Sequence, residues 1–462
     1  GMHRVYNSAF MHMLMKEENE KYRDLITNTL EYNPEILKRY VNFMSNPDEE
    51  TAIRQFGADD KYFGVCLLMI TLPGLPMFAH GQIEGFHEKY GMEFKRPYYD
   101  ETPNQYLIDR HEREIFPLMK KRYLFSQIEN FWFYDFYDQW GNLNENVFAY
   151  TNYAYGERAL IFYNNKYQHA SGWIKRSTGK NVGGNIINID LSEALEIKND
   201  ENVFYIFRDL PSGLIYIRSG AEIYKNGFYA ELGAFKYHAF IDWVEKYDEN
   251  GDLKILRDRL NGRGCRSLKE ELNEIKYGHI YAKLRNLISE ESLNVFNSTC
   301  IYLTAKLEDT SLNLKKLIDH YIALALETQR TFNYANETLN CIREFDLQIN
   351  VPRIYNFLFK LSEENDVVDF IVINLKKKIK YDADNDVAKN GLIYLFYSAL
   401  KALGCLNHNL PSHKAAAELY EEICFDQIYE QALTRLGRGD YEIYTDKILI
   451  SLLLAYDKNP LG

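Results

Sequence analysis

Residues 43–57, FMSNPDEETAIRQFG, place an acidic side chain where a predicted strand gives way to a predicted helix. The aromatic and β-branched residues at 40–44 are typical of a half-buried strand, and Asn46-Pro47 interrupts it before the helical pattern of Glu49 to Phe56. Asp48 lies between the two elements, and two interpretations follow. It fills the first turn of the helix, where the positive helix end stabilises a carboxylate, or it is a catalytic acid at the C-terminal end of a barrel strand.

A second set of polar side chains follows the next predicted strand. In LPGLPMFAHGQIEGF, residues 72–86, His80, Gln82 and Glu84 come after the strand-like LPMF. An imidazole, an amide and a carboxylate can each hydrogen-bond a polar ligand. A histidine beside an apolar strand is more often a hydrogen-bonded core residue, and that is the favoured interpretation of His80. Glu84 either contacts a ligand or holds the end of the strand.

Composition and charge narrow the class of ligand. The chain has 462 residues, of which 46% are hydrophobic, so it is long enough for two to four domains. Its net charge of −12 and its pI of about 5.5 argue against nucleic acid and anionic membranes as partners. We therefore expect a neutral ligand or a protein partner.

The sequence carries no recognisable targeting, cofactor or metal motif. The first residues predict no signal peptide, and no unbroken membrane-spanning run is expected. The six cysteines are scattered, which favours buried thiols in the cytoplasm. A phosphate-binding loop and a dinucleotide fingerprint are missing, so no cofactor is predicted. No metal is predicted, because HERE at 111–114 lacks the second histidine of a zinc protease and DADND at 382–386 lacks the glycine and glutamate of a calcium loop.

Local patterns divide the chain into three predicted domains. Residues 1–122 alternate strand-like and helix-like segments, which predicts parallel strands covered by helices, and NQYLIDRHEREIFPLMKKRYLF at 104–125 predicts one long amphipathic helix. Residues 123–242 contain short aromatic strands between turn residues, typical of an antiparallel β-sandwich. Residues 243–462 have apolar residues at helical spacing and predict an all-α region, with a hairpin turn at Asn250-Gly251 near its start.

The aromatic run FWFYDFYDQWG at 131–141 leads into the second predicted domain. Tyr and Trp rings can stack on the faces of sugars, since they are flat, apolar bodies with a polar edge. Packing between domains is nevertheless the favoured interpretation of this run.

Taken together, the two polar segments resemble the last two strand-end motifs of the α-amylase family, family 13 of the glycoside hydrolases. In that family the seventh barrel strand ends in Asn-His-Asp, and the eighth follows a Pro-Gly-x-Pro turn and ends in Gly-x-Glu-x-Gly or a variant. Asn46-Pro47-Asp48 stands at the first motif, and Pro73-Gly74-Leu75-Pro76 with Gly81-Gln82-Ile83-Glu84-Gly85 stands at the second. The resemblance covers about residues 1–240, because ALIFYNNKY at 159–167 is similar to the β domain that follows the barrel.

This resemblance implies a multidomain α/β + β + α fold. It consists of a partial (β/α) barrel of about three βα units (strands six to eight), an antiparallel β-sandwich and a C-terminal all-α region. It implies that Asp48 is the acid that stabilises the transition state, with substrate contacts from Asn46, His80, Gln82 and Glu84. The implied substrate is an α-glucan, and the implied reaction is hydrolysis or transfer with retention.

Two departures from the family pattern predict that this polypeptide alone does not cleave glycosidic bonds. The family's sugar-contacting histidine is replaced by Pro47. A complete barrel takes about 250 residues, whereas roughly half of that precedes the predicted sandwich. The family's nucleophile and acid/base belong to strands four and five, and a retaining mechanism needs both carboxylates, about 5 to 5.5 Å apart.

Three hypotheses for the function remain open. The chain is a catalytically incomplete C-terminal piece of an α-amylase-family enzyme, or one half of a split enzyme whose N-terminal half is another chain. Alternatively, it is a non-catalytic protein that binds carbohydrate through its sandwich and a protein partner through its helical region. The third hypothesis is a homo-oligomer, because a partial barrel leaves strand edges that recruit other chains.

Overall fold

The computed structural model describes residues 3–91, 95–301, 307–334, 337–362, 387–407, 409–435 and 439–455. Contacts between residues divide the chain into two units, Gly1–Leu268 and Lys269–Gly462. The predicted boundaries near residues 122 and 242 stay predictions, and the DADND segment lies outside the described residues. None of the described helices is both long and apolar enough to cross a membrane.

The first unit opens with a parallel three-stranded sheet whose strands alternate with helices, as the pattern of residues 1–122 predicts. The middle strand is β2, and it pairs in parallel with both β1 and β3. The elements of this part are β1 (Val5–Tyr6), α1 (Ser8–Met15), α2 (Asn19–Tyr32), α3 (Glu35–Arg39), β2 (Tyr40–Phe43), α4 (Ala52–Phe56), α5 (Asp60–Thr71) and β3 (Leu75–Met77).

The long helix predicted at 104–125 is interrupted, so that prediction is wrong. Helix α6 (Gln105–Arg110) continues into a π-helical turn at His111–Ile115 and then into α7 (Phe116–Met119), while α8 (Arg122–Phe125) follows after a break. A π turn is wider than an α turn, and Pro117 has no N–H with which to continue the regular ladder. The apolar periodicity of the sequence is compatible with each piece and does not reveal the join.

The remainder of the first unit is mainly antiparallel sheet, which confirms the strand prediction for this region. Six strands pair in the order β11-β10-β13-β6-β5-β4, and β7 pairs with β12 and β8 with β9 in two small sheets. The strands are β4 (Trp132–Tyr134), β5 (Val147–Ala154), β6 (Glu157–Asn164), β7 (Ala170–Ile174), β8 (Lys180–Val182), β9 (Asn185–Ile187), β10 (Val203–Asp209), β11 (Ile215–Ser219), β12 (Phe228–Leu232) and β13 (Tyr237–Tyr247). The short helices α9 (Leu191–Ala194) and α10 (Gly220–Asn226) lie between strands.

Two hydrophobic cores hold these layers together. Helix α5 is buried from Tyr62 to Thr71, and its residues pack in one cluster with side chains of α1, β2, β5 and β6. A helix that is apolar all round must lie inside a core, so α5 joins the parallel sheet to the six-stranded sheet. The second cluster lies between the six-stranded sheet and the β7–β12 pair, where Phe162 and Phe228 have ring centroids 5.9 Å apart.

The predicted hairpin turn at Asn250-Gly251 is wrong. Gly251 has φ 84° and is the N-cap residue of α11 (Asp252–Leu260). The Asp248 carboxylate accepts hydrogen bonds from the backbone N–H groups of Leu253 (3.2 Å) and Lys254 (3.0 Å). These otherwise unpaired donors at a helix start are satisfied by the carboxylate, so the same residue types that suit a hairpin turn here begin a helix.

The second unit is helical, as predicted for the C-terminal region. Its helices surround one apolar cluster that contains Tyr281, Leu324, Phe345, Phe396 and Tyr429. A 3-10 turn, Gly404–Leu406, follows α16. The helices are α12 (Leu268–Leu287), α13 (Glu290–Phe296), α14 (Leu307–Phe332), α15 (Thr338–Ser362), α16 (Val387–Leu403), α17 (Ser412–Ile423), α18 (Phe425–Arg435) and α19 (Asp440–Ala455).

Candidate functional site

The two polar segments found in the sequence meet at one edge of the parallel sheet. Strands β2 and β3 are hydrogen-bonded parallel neighbours, so the loops that leave their C-terminal ends start at the same edge. The Lys89 amine donates a hydrogen bond to the carbonyl oxygen of Asp48 at 2.7 Å. The Gln82 amide nitrogen lies 3.5 Å from the sulfur of Met44. The loops after the two strands are therefore in direct contact.

Asn46 shapes the loop after β2. Its side-chain oxygen accepts hydrogen bonds from the backbone N–H groups of Asp48 at 2.9 Å and Glu49 at 3.0 Å. An asparagine that bonds its own backbone two residues on forms a tight turn in place of a regular element. Asn46 is buried, and its oxygen is already occupied by these two donors, so it holds the loop that presents Asp48.

Asp48 is not in the first turn of a helix, and that interpretation of the sequence is wrong. Helix α4 begins at Ala52 with Thr51 as its N-cap residue, and its first turn contains no acidic residue. The turn that Asn46 forms includes the residues that follow β2, so helix α4 begins only at Ala52. Asp48 is exposed on this loop. Its neighbour Glu49 forms an ion pair of 3.5 Å with His12.

Gln82 is held by bonds on three sides. Its side-chain oxygen accepts a hydrogen bond from the Ala79 N–H at 3.1 Å, its amide nitrogen lies against Met44, and its carbonyl oxygen accepts a bond from the Tyr62 hydroxyl at 2.8 Å. The side chain is 4% exposed. The structure therefore places Gln82 as a residue that fixes the loop after β3, below the surface that a ligand could reach.

His80 and Glu84 lie closer to solvent. His80 is exposed, with its ring centroid 4.1 Å from that of Tyr90, so its interpretation as a core histidine is wrong. Glu84 is half-buried, and its carbonyl oxygen accepts a hydrogen bond from the Asn104 N–H at 2.8 Å. Gly81 between them has φ 70°, and a Cβ there would lie 2.7 Å from the Phe86 ring. The loop conformation that presents both side chains requires glycine at this position.

A buried tyrosine–histidine pair supports this loop from below. The Tyr62 hydroxyl, which donates to Gln82, also lies 3.2 Å from Nε2 of His111, and Nδ1 of His111 lies 2.8 Å from the Leu107 carbonyl oxygen. Burial lowers the pKa of His111, against the opposing effects of Leu107 and the nearby carboxylates. Burial thus favours the neutral imidazole. The sequence analysis did not predict this pair, although the hydroxyl of Tyr62 in the otherwise apolar helix α5 indicated a buried hydrogen bond.

An ionic cluster fills the π-helical turn on the other side of His111. The Arg110 guanidinium donates to both carboxylate oxygens of Glu114 at 3.0 Å, to Asp60 at 3.2 Å and to the Tyr237 hydroxyl at 2.7 Å. Tyr237 in turn donates to Glu114. The cluster lines an open cleft of about 450 Å³ within the first unit. Its buried charges are mutually paired, which is the requirement for keeping ionised groups away from water.

The same cleft contains a serine, an aspartate and a histidine. Asp209 is buried and accepts hydrogen bonds from the Ser212 hydroxyl at 2.5 Å, from the Ala239 N–H at 3.0 Å and from Nδ1 of His238 at 3.1 Å. Nε2 of His238 lies 3.2 Å from the carbonyl oxygen of Glu231. Both ring nitrogens face acceptors, which favours the protonated imidazole and raises the pKa of His238 against the opposing effect of burial. The serine bonds the aspartate and not the histidine, so this set lacks the serine–base contact of a hydrolase triad.

Three aromatic side chains form a row on the outer face of the β7–β12 pair. Tyr137 and Trp173 exchange both of their backbone hydrogen bonds (2.9 and 2.8 Å), and Trp173 is opposite Tyr229 in the β7–β12 register. Neighbouring strands are roughly 4.8 Å apart, and the Trp173 and Tyr229 ring centroids are 4.7 Å apart. The three residues are 37 to 42% exposed. The row is an apolar strip on the protein surface, and the planes of the Trp173 and Tyr229 rings are inclined to each other by 51°.

Only part of the aromatic run at 131–141 belongs to this row. Trp132, Phe133, Tyr134 and Phe136 are buried in the two cores of the first unit. Tyr137 is exposed, and its hydroxyl donates to Asp135 at 3.3 Å. The other two members of the row come from β7 and β12, far along the chain, and no local pattern groups them with Tyr137.

No family model matches the sequence, and no curated protein matches it. Among solved structures, a maltogenic α-amylase from Thermotoga neapolitana is 15% identical, with 52% of this chain and 51% of that chain covered and a TM-score of 0.34. An Anoxybacillus α-amylase is 15% identical over 50% of this chain and 45% of that chain (TM-score 0.32). A debranching enzyme from Nostoc punctiforme is 16% identical over 48% and 38% (TM-score 0.30).

This chain thus spans about half the length, or less, of the solved structures that it matches. The structural neighbours are α-amylase-family enzymes. The identities and TM-scores are too low to assign the chain to that family, so its activity must be argued from its own residues.

Proposed function

We propose that this chain is a C-terminal part of an α-amylase-family glycosidase or glucanotransferase, and that by itself it binds α-glucan without cleaving it. The observation that carries the proposal is the contact between the loops after β2 and β3. The two motifs that resemble the family's last two strand ends follow neighbouring parallel strands, and they touch through the Lys89–Asp48 hydrogen bond.

The elements on either side of this contact support the same proposal. Three parallel strands with intervening helices fit about three βα units of a barrel, and the antiparallel strands that follow fit the β domain that accompanies it. The β1–β2–β3 sheet has β1 and β3 at its edges. An unpaired edge can accept a further strand, so a complementing N-terminal half or a second copy of this chain is the protein partner that we propose.

Asp48 is the residue of the proposed site that is best placed to contact sugar. It is exposed on a loop that Asn46 and Lys89 hold in place, and in the parent family its position belongs to the acid that stabilises the transition state. His80 and Glu84 flank the neighbouring loop and complete the proposed substrate contacts, while Asn46 and Gln82 act by holding the loops. The resemblance supplies no nucleophile or acid/base in this polypeptide, so the retaining mechanism, which needs two such carboxylates, does not run.

The aromatic row favours a second candidate function, a non-catalytic glucan-binding protein. Tyr137, Trp173 and Tyr229 present an exposed aromatic strip whose rim carries carboxylates, since Tyr137 bonds Asp135 and Tyr229 bonds Glu231 at 2.6 Å. Aromatic rings with hydrogen-bonding groups at their margin can stack on sugar rings and bond their hydroxyls. In this candidate the sandwich binds the glucan, and Asp48 has no role in binding.

One experiment separates the candidates. The purified chain is incubated with maltooligosaccharides and soluble starch, and released reducing ends and bound sugar are measured together for the wild type, Asp48→Asn and Trp173→Ala. Binding without release, weakened in Asp48→Asn, supports the proposed enzyme fragment. Binding that is weakened only in Trp173→Ala supports the glucan-binding protein. Release of reducing ends that disappears in Asp48→Asn contradicts the predicted inactivity, and absence of binding in all three contradicts both candidates.

A further inference from the structure

Five charged side chains form a continuous ion-pair network along the cleft of about 450 Å³ in the first unit. Arg110 lies at its centre and pairs with Asp60 at 3.2 Å and with Glu114 at 3.0 Å. Asp60 also pairs with Lys236 at 2.5 Å, and Glu114 also pairs with Arg113. The network therefore has a cation at each end, and its three cations share two carboxylates.

Burial divides the network into a fixed interior and two accessible ends. The side chains of Arg110 and Glu114 are 8% and 3% exposed, whereas those of Arg113 and Lys236 are each 58% exposed. Buried charges must be compensated within the fold, and Arg110 contacts both carboxylates of the network. Each terminal cation therefore shares its carboxylate with Arg110. The network carries one positive charge in excess, and its ends are the part that solvent reaches.

The other acidic residues that line the cleft are bonded to groups outside the network. Asp209 pairs with Nδ1 of His238 at 3.1 Å, and the Glu231 carboxylate accepts a hydrogen bond from the Tyr229 hydroxyl at 2.6 Å. Among the residues that the structure describes, neither terminal cation forms an ion pair with a second carboxylate. Both cations can therefore accept a further anionic partner.

The hydrogen-bond donors at the cleft define what such a partner must offer. A guanidinium has five N–H donors and an ammonium has three, and each terminal cation uses only part of this set on its carboxylate. Tyr106 also lines the cleft, and its hydroxyl accepts a bond from Arg110 at 3.1 Å. The hydroxyl therefore keeps its own proton for another acceptor. A fitting ligand group is an anion with several acceptor oxygens.

We propose that this cleft binds a small phosphate-bearing molecule through Arg113 and Lys236. Phosphate supplies the anion that the ion-pair network lacks. A guanidinium binds phosphate oxygens in pairs, and an ammonium attracts them as a point charge. The volume of the cleft lies in the range of small-molecule sites. The proposal does not rest on the proposed glucan function, because Asp48, His80 and Glu84 do not line the cleft.

Calorimetric titration of the full-length chain near pH 7 tests the proposal with inorganic phosphate, glycerol 3-phosphate and glycerol. Because the net charge of the chain is −12, an anion is not attracted to its surface in general. We expect both anions to bind, glycerol to give no signal, and added sodium chloride to weaken the binding, since salt screens exposed charges. Tighter binding of glycerol 3-phosphate than of phosphate supports an organic phosphate as the ligand, and equal affinities support the phosphate ion itself.

Two variants locate the binding at the ends of the network. Arg113→Gln and Lys236→Gln each remove one terminal cation, and each is expected to raise the dissociation constant about fivefold. Arg176→Gln is the matched control, because its side chain is 67% exposed and pairs with Asp190 outside the cleft, and the constant should not change. The same affinity in all three variants, or no binding of either anion to the wild type, overturns the proposal.

Labelling of the wild-type protein keeps the test decisive even if a variant fails to fold. An amine-reactive reagent modifies accessible lysines, and mass spectrometry of peptides compares the modification with and without glycerol 3-phosphate. Labelling of Lys236 is expected to fall severalfold. Lys246 on β13 is exposed and lies outside the cleft, so its labelling should stay constant. Equal labelling of Lys236 with and without the ligand contradicts the proposal.

Discussion

The amine of Lys89 is hydrogen-bonded to the carbonyl oxygen of Asp48 at 2.7 Å, and this bond joins the loops that leave two neighbouring parallel strands. The bond does not involve the Asp48 carboxylate, because its acceptor is the main-chain carbonyl oxygen. The loops are therefore held in position while the acidic group remains on the surface.

The loop after β3 depends on the glycine at position 81. Gly81→Ala is expected to lower the free energy of unfolding by about 3 kcal/mol, since the residue must keep a positive φ and its Cβ would collide with Phe86. Gly156→Ala is the matched control, because Gly156 also has a positive φ but open space around it, and we expect about 1 kcal/mol. Tryptophan fluorescence during urea unfolding measures both, as all four tryptophans lie in the first unit. Equal losses in the two variants would contradict the steric argument.

The buried ionic cluster predicts a large effect of removing one charge. Glu114→Gln leaves the Arg110 guanidinium with a neutral partner in place of its bidentate carboxylate, and we expect a loss of about 3 kcal/mol in unfolding free energy. Glu112→Gln on the same turn is exposed and should change stability by less than about 0.5 kcal/mol. Urea unfolding curves of both variants give the comparison. If Glu114→Gln unfolds like the wild type, the cluster does not stabilise the fold.

The protonation of His238 is expected to make a pH-dependent contribution to the free energy of unfolding. Burial alone would lower its pKa, but the Asp209 carboxylate and the Glu231 carbonyl outweigh burial and raise the pKa above its ordinary value of 6.5. A raised pKa means that the folded state holds the proton more tightly. The stabilisation is therefore complete below about pH 6.5 and is lost as the pH rises through the folded-state pKa.

His238→Asn tests this sign while retaining a hydrogen-bond donor toward Asp209. The difference in unfolding free energy between wild type and variant should be largest near pH 6 and should shrink as the pH rises toward about 9. Unfolding series at four or five pH values give the difference directly. A difference that grows with pH would mean that the histidine is neutral in the folded protein.

The aromatic row predicts which side chains bind glucan in the second candidate function. Trp173→Ala removes the middle ring of the three, and the dissociation constant for a maltooligosaccharide should rise about tenfold, or about 1.4 kcal/mol. Tyr155→Ala is the control, because Tyr155 is more exposed than Trp173 and lies at the β5–β6 turn, outside the row. Calorimetric titration measures both. An unchanged constant for Trp173→Ala would remove the row from any glucan site.

Local sequence patterns were sufficient to predict whether most elements are strands or helices. Aromatic and β-branched runs predicted β5, β6, β10 and β11, and helical periodicity predicted α2 and the helices of the second unit. These patterns survive because strands and helices bury one face at a fixed period, whichever partner they meet. The sequence also predicted that each of the two polar motifs directly follows a strand.

The combination of residues that are distant in the sequence depends on the tertiary structure. The row formed by Tyr137, Trp173 and Tyr229 and the support of Gln82 by Tyr62 both join separate elements. Helix α4 begins after Asp48, contrary to the pattern, because the side-chain oxygen of Asn46 accepts hydrogen bonds from the backbone N–H groups of Asp48 and Glu49. Local periodicity shows which face of an element is buried. The hydrogen-bond partner of a polar group depends on how elements that are distant in the sequence pack together, and a local pattern does not contain this.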